Sequence, residues 1–170
     1  MLKNQNWVLL HTLLYVVTII SMTSCSSNSG TTTPPSLTTG EMDAKISSAP
    51  FNSLNGKAIN GSLTVTVKAS IKKQNNAALD SVSLTLVVAK QGGLPYTLDL
   101  ASDDYSQITY CIVNPSSGTC ASSFTAKKGL GSGTITITSL TPIIEGTFSG
   151  ILQGSGTVSV SNGAFKAQLN

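Results

Sequence analysis

The sequence predicts an all-β domain, an antiparallel β-sandwich or partly closed barrel of about eight to ten strands. Apolar and polar residues alternate with a period of two along most of the chain after residue 40, and no window holds a helical period of useful length. The alternating runs are short, and clusters of Gly, Pro, Asn and Ser separate them as turns would.

The first expected strand covers 43–47. In the second, Leu63, Val65, Val67, Ala69 and Ile71 alternate with Ser62, Thr64, Thr66, Lys68 and Ser70, so one face should be buried. Val82, Leu84, Leu86 and Val88 repeat this pattern against Ser83 and Thr85. Further strands are expected at 94–100, 107–113, 120–126, 134–139 and 143–152. The last two, 157–161 and 164–169, should form a hairpin, because Asn162-Gly163 is the strongest two-residue signal for a turn with positive φ at both positions. That register pairs Ser161 with Ala164, Val160 with Phe165, Ser159 with Lys166 and Val158 with Ala167. It puts Val158, Val160, Phe165 and Ala167 on one face, where a one-residue slip would send Phe165 to solvent.

Upstream of this domain, Lys3 precedes an apolar run from about Val8 to Ile20, followed by Met22-Thr23-Ser24-Cys25. One cation, a greasy segment and a small-residue exit make a secretory signal. The run is shorter than the ~20 residues of a spanning helix and carries His11 and Thr12, so an uncleaved anchor or a plain signal peptide is the alternative to lipoprotein processing. The tetrapeptide resembles the lipobox of bacterial lipoproteins, with Met22 where leucine is commonest. The resemblance implies removal of residues 1–24 and acylation of Cys25, whose chains would hold the protein on a membrane at ~0.8 kcal/mol per buried methylene. Residues 25–40 then carry the lipidated cysteine and a flexible Ser/Thr/Pro tether, in which Leu37 alone could join a core. Fifteen such residues give a mean reach of roughly 20 Å. Residues 41–170 form the β domain.

Loss of the signal strips the chain of its only His, His11, and its only Trp, Trp7. The sequence has no Arg, and nine Lys remain against seven acidic residues. Without imidazole, Ser-His-Asp and Cys-His catalysis and the usual zinc ligand sets are excluded. Without Arg or a dense Lys patch, nucleic acid is not an expected partner. No cofactor or metal is expected.

The C-terminal half carries a second resemblance. Gly133-Thr134-Ile135-Thr136-Ile137-Thr138, then Ile144-Glu145-Gly146-Thr147-Phe148-Ser149-Gly150, then Val158-Ser159-Val160-Ser161-Asn162-Gly163-Ala164-Phe165 is similar to the succession of motifs in a family of small Bacteroidota lipoproteins. Met42-Asp43-Ala44-Lys45-Ile46 and Pro50-Phe51 resemble that family's opening strand and turn, with Ser48-Ala49 in place of its glycine. The resemblance spans most of 42–169. It implies a β fold and attachment to the outer membrane, facing the periplasm or the surface, and transfers no catalytic residue.

Cys111 and Cys120 flank Ile-Val-Asn-Pro-Ser-Ser-Gly-Thr, a hairpin-like connection, and in an oxidising envelope are expected to pair as a structural disulfide. Free thiols are the alternative; the spacing does not match a Cys-x-x-Cys redox or metal pair. Asp103-Asp104 has too few oxygens beside it for calcium and reads as a solvated turn. The glycines of 129–133 lead into a strand rather than a helix, so a mobile loop is expected there and not a phosphate site. Tyr96, Tyr105 and Tyr110 could stack on a sugar only if they shared a face. Glu145 and Lys166 are the residues best suited by type to acid–base work, although Glu145 alternates as an outward residue.

These readings favour a membrane-anchored lipoprotein with a non-catalytic β domain, a module for binding or assembly with a protein or glycan partner. A β-barrel carrier of an apolar ligand is the alternative, and an enzyme using Asp, Glu, Lys, Tyr or Ser is the third reading.

Overall fold

The structure is a computed structural model that describes residues 36–72, 81–114 and 116–170. Cys25, the signal segment and most of the tether lie outside the described residues. Among the described residues, eleven strands form one antiparallel sheet: β1 (Glu41–Ile46), β2 (Ala49–Ser53), β3 (Lys57–Asn60), β4 (Thr64–Lys72), β5 (Ser81–Ala89), β6 (Tyr96–Asp99), β7 (Gln107–Val113), β8 (Cys120–Ala126), β9 (Ser132–Ser139), β10 (Ile143–Gln153) and β11 (Thr157–Gln168). The all-β expectation holds, with β2 and β3 added to the strands read from the sequence.

The sheet divides where β10 meets β8 through a single pair, Gln153 with Thr125. On one side run β2, β1, β11, β10, β9 and β6; on the other, β8, β7, β5, β4 and β3. The inward residues of both arms form one cluster, among them Met42, Phe51, Val67, Leu84, Ile108, Ile137 and Phe165. Alternation therefore has a direct structural cause. Leu84 and Leu86 are fully buried while Thr85 between them is half-exposed, because successive side chains on a strand point to opposite faces.

The far edges approach each other without forming a ladder. Ala58 on β3 bridges Leu169 in parallel, with the Asn60 amide donating to the Asn170 carbonyl at 3.1 Å. The Ser53 hydroxyl donates to the Ser70 carbonyl at 3.0 Å, and the Ser70 amide to Asn55 Oδ1 at 3.1 Å. The sheet folds over a filled core and stays open.

The terminal hairpin read from Asn162-Gly163 is overturned. β11 runs straight through both residues, and the turn preceding it lies at Gly154–Gly156, where the Gly154 amide bonds the Gly156 carbonyl at 3.0 Å. Asn162, at φ +52°, instead forms a bulge: β10 pairs Phe148 with Gly163 and then Gly150 with Val160. The bulge resolves an odd spacing. Val160 and Phe165 are five residues apart, so strict alternation would place them on opposite faces, yet both are buried in the core. The inward face predicted for Val158, Val160, Phe165 and Ala167 is correct; the partner strands are β1 and β10.

Positive φ at both central turn positions occurs elsewhere, at Ser47 (+47°) and Ser48 (+74°) between β1 and β2. Ser47 is thus a turn residue and not the end of the first strand. Leu63, read as inward, lies before β4 and is 66% exposed. The mobile loop expected at 129–133 is a tight turn: the Lys127 and Leu130 amides donate to each other's carbonyls at 2.8 and 2.9 Å around Lys128-Gly129. Gly131 and Gly133 there are packed so close to Ile151 and Ser149 of β10 that a Cβ would stand 2.4 Å from their carbonyl oxygens.

Candidate functional site

Cys111 and Cys120 are joined by a disulfide, with Cα atoms 5.7 Å apart. The bond ties the ends of β7 and β8 on the outer face. The connection it closes is itself ordered by Asn114, whose amide donates to the Thr119 carbonyl at 2.8 Å and whose carbonyl accepts from Gly118. On the inner face the neighbours of Cys111, Tyr110 and Ile112, together with Phe124 of β8, form one wall of an apolar cleft. Ile71 and Val82 continue this wall from β4 and β5. Ile46, Pro50 and Phe51 face it from β1 and β2, with Val158 from β11.

The cleft holds about 240 Å³ and opens at the end of the molecule where the two arms of the sheet part. Ile71, Ile112, Phe124 and Val158 pack on the core there but stay partly exposed. Pro50 can occupy this lip because β2 is an outermost strand, where a missing amide costs no ladder bond. Tyr110 is buried, its ring 6.2 Å from that of Phe124, and burial pushes its hydroxyl pKa above the ordinary value of 10.0. It is therefore an uncharged phenol at neutral pH. The sequence did not single out this cleft. Its lining reads as ordinary core, and only strand pairing reveals that Ile46, Ile71, Val82, Ile112 and Val158, each near a strand end, collect at one end.

Because the disulfide fastens this wall, its removal should be measurable. Closing so short a loop limits the unfolded chain by roughly 2.7 kcal/mol. Cys111→Ser with Cys120→Ser is expected to lower the unfolding free energy by about that amount in urea denaturation. Reductant should destabilise the parent chain similarly and leave the double variant unchanged.

The polar candidates are dispersed. Glu145 and Lys166 are directly opposed across β10 and β11, and their Oε2 and Nζ atoms lie 3.3 Å apart. Their side chains are 44% and 28% exposed, and a cross-strand pair of this kind contributes a few tenths of a kcal/mol, up to about 1. Lys166 also faces Glu41 across β1, whose Oε2 accepts from the Thr38 amide at 2.6 Å. Leu37, in the stretch read as tether, is 8% exposed and sits by Thr147 and Ala164 on the outer face. The Gly40 amide donates to the Lys166 carbonyl at 2.7 Å, so the folded unit takes in residues before Glu41.

Asp103 Oδ1 accepts from the amides of Tyr105 (2.9 Å) and Ser106 (2.6 Å), while Asp104 pairs with Lys128 Nζ at 2.7 Å. This is the turn expected of the two aspartates. The three tyrosines do not form a platform. Tyr96 is half-buried and its hydroxyl donates to the Ala89 carbonyl at 3.1 Å, Tyr105 is 62% exposed, and Tyr110 lines the cleft. Among the described residues no group of three or more His, Cys, Asp or Glu could hold a metal ion.

Among the described residues Asp43 is the one carboxylate with a raised pKa, through partial burial first and the nearby Glu41 charge second. A carboxyl group raised by folding stabilises the fold while protonated, and that contribution disappears as pH rises through its folded pKa. Asp43→Asn is therefore expected to raise the melting temperature at pH 7. The gain should vanish below the ordinary carboxyl value of 3.8, where the parent residue is also neutral. Melting curves at pH 3 and pH 7 check both halves.

No protein-family model, curated protein or solved structure matches the chain.

Proposed function

We infer that this chain is a lipid-anchored protein of a bacterial envelope whose β domain acts by binding or assembly and catalyses no reaction. The observation that carries this reading is Met22-Thr23-Ser24-Cys25 at the end of the apolar run. The resemblance to small Bacteroidota lipoproteins supports attachment to the outer membrane; the partner of the binding reading is a protein or glycan that the resemblance does not name. The dispersal of the polar candidates also supports it: Glu145 and Lys166 are matched to each other on an outer face, and Asp103 is used up in a turn. Two carboxylates spaced for glycoside hydrolysis would face each other across ~5–9.5 Å, and adjacent Asp103 and Asp104 do not.

Metabolic labelling with palmitate, combined with intact mass, tests the reading. The parent chain should lose residues 1–24, gain acyl mass at Cys25 and sediment with membranes. Cys25→Ala should fall to background label. A product that keeps Met1, or carries an unmodified thiol at position 25 in the soluble fraction, overturns it.

The carrier reading has one observation on its side, the apolar cleft. A carrier that encloses its ligand needs an empty interior, and the space between the two arms is occupied by the core cluster. At about 240 Å³ the cleft is also smaller than the ~300–1,000 Å³ usual for an enclosed small molecule.

A further inference from the structure

We propose that the outer side of β3 is a membrane-docking stripe, on which the domain lies against the anionic head groups of the bilayer that holds its lipid anchor. Leu54, Ile59 and Leu63 are the three most exposed large apolar side chains among the described residues, at 81%, 65% and 66%. They follow one another along β3: Leu54 in the connection before it, Ile59 on it and Leu63 in the turn after it. Ala58 is buried in the core, so Lys57 and Ile59 share the outer face. Single exposed apolar residues are ordinary, whereas a run of them with a polar rim marks an interaction surface. The rim here is cationic. Lys57 stands directly opposite Lys68 in the β3–β4 ladder, where like charges repel. Neither joins an ion pair among the described residues, whose pairs are Lys128 with Asp104 and Lys166 with Glu145. Lys90 adds a third cation at the far end of the stripe, its Nζ donating to the Gly61 carbonyl in the turn before Leu63. An array of phosphates relieves the opposed pair, and lysine stems lie along apolar surface while their heads reach the anions.

The path of the chain makes a bilayer the source of those anions. The Gly56 amide, one residue before β3, donates to the Gly40 carbonyl at 2.6 Å, so the chain that leads from Cys25 enters the fold beside the start of the stripe. Only residues 26–35 lie between Cys25 and the described chain, and the eleven residue steps to Ser36 reach at most about 40 Å. A contact made within that reach is intramolecular, at an effective concentration on the order of millimolar. Three apolar side chains and three cations therefore suffice to turn this side to the bilayer without binding lipid tightly on their own. The undescribed connection between β4 and β5 leaves β4 at its other end, after Lys72, away from Leu63. This inference rests on the acylation of Cys25 inferred above.

The chain purified from its envelope, its intact mass measured first, is reconstituted into vesicles of phosphatidylethanolamine and phosphatidylglycerol with brominated acyl chains. Loss of residues 1–24 removes Trp7, the only Trp of the sequence. Ile59→Trp and Leu63→Trp then report on the stripe, and Ile151→Trp on an exposed residue of β10. Brominated lipid should quench the first two at least twofold and the third by less than a tenth. Replacing phosphatidylglycerol by brominated phosphatidylcholine should restore at least half of the lost fluorescence, as should Lys57→Glu with Lys68→Glu in the Ile59→Trp chain. If the double Glu variant does not fold, the change of lipid decides alone. An unmodified thiol at position 25 overturns the anchoring reading and this inference with it. In acylated protein, equal quenching at all three positions, no quenching at 59 and 63, or quenching indifferent to phosphatidylglycerol overturns the stripe alone. Shielding of Ile59→Trp from iodide without quenching by brominated lipid also overturns it, and assigns the surface to a second copy or to the protein's own tether.

Discussion

Gly163→Ala is expected to lower the unfolding free energy by about 3 kcal/mol, the upper end of the usual cost of overpacking. Gly163 is buried opposite Phe148 in the β10–β11 ladder. A Cβ there would stand 2.5 Å from the Phe148 carbonyl oxygen and 2.6 Å from two of its ring carbons. Neither can give way, because the oxygen belongs to the backbone and the ring is packed 6.1 Å from Phe165. Gly156→Ala supplies the comparison: its Cβ meets nothing within 4 Å, and its effect should stay within about 0.5 kcal/mol. Urea denaturation of both variants measures the difference. Equal effects would mean that β11 does not approach β10 at the bulge as described.

Phe165→Ala should cost more, about 3–5 kcal/mol. For a domain of this size that corresponds to a fall in melting temperature on the order of 10–15 °C. Phe165 is fully buried between Met42 of β1 and Gly146 of β10, its ring pressed over the glycine so that a Cβ at 146 would come within 3.0 Å of it. A bulky ring over a bare backbone fills the space that the missing side chain leaves. Truncation to Ala would open a cavity in the middle of the strand layer, where β1 and β10 are fixed by their own ladders and cannot collapse into it. A thermal melt followed by far-ultraviolet circular dichroism checks the magnitude.

The strands β4, β5, β7 and β8 were legible almost to the residue. β4, β5 and β7 are regular runs with one face on the core, and burial of that face is what alternation encodes; β8 is mostly exposed, and only Ala126 at its end is buried. β2 and β3 were not legible, because Ala49-Pro50 and Lys57-Ala58-Ile59-Asn60 are short, mostly exposed edge segments without an alternating apolar run, although each pairs with its neighbour in sequence, β1 and β4. Asn162-Gly163 shows a different limit. A residue that accepts positive φ serves a tight hairpin and a bulge equally well, so local chemistry cannot choose between them. The choice was made by β1, which pairs Lys45 with Ser161 and Asp43 with Ala164 on either side of the bulge. The ion pair of Glu145 with Lys166 was legible only as two candidates of suitable type; their opposition depends on the same pairing. The cleft was hidden for a related reason, since it is a property of where two arms part and not of any single segment.

The pairing of Met42 with Phe165 has a kinetic corollary. β1 and β2 can close on each other locally, but their hairpin gains its place in the sheet only after β11 has been synthesised. Contacts of such long range close slowly. A nascent chain of this design keeps the β1–β2 hairpin undocked, its apolar face unsheltered, until β11 emerges.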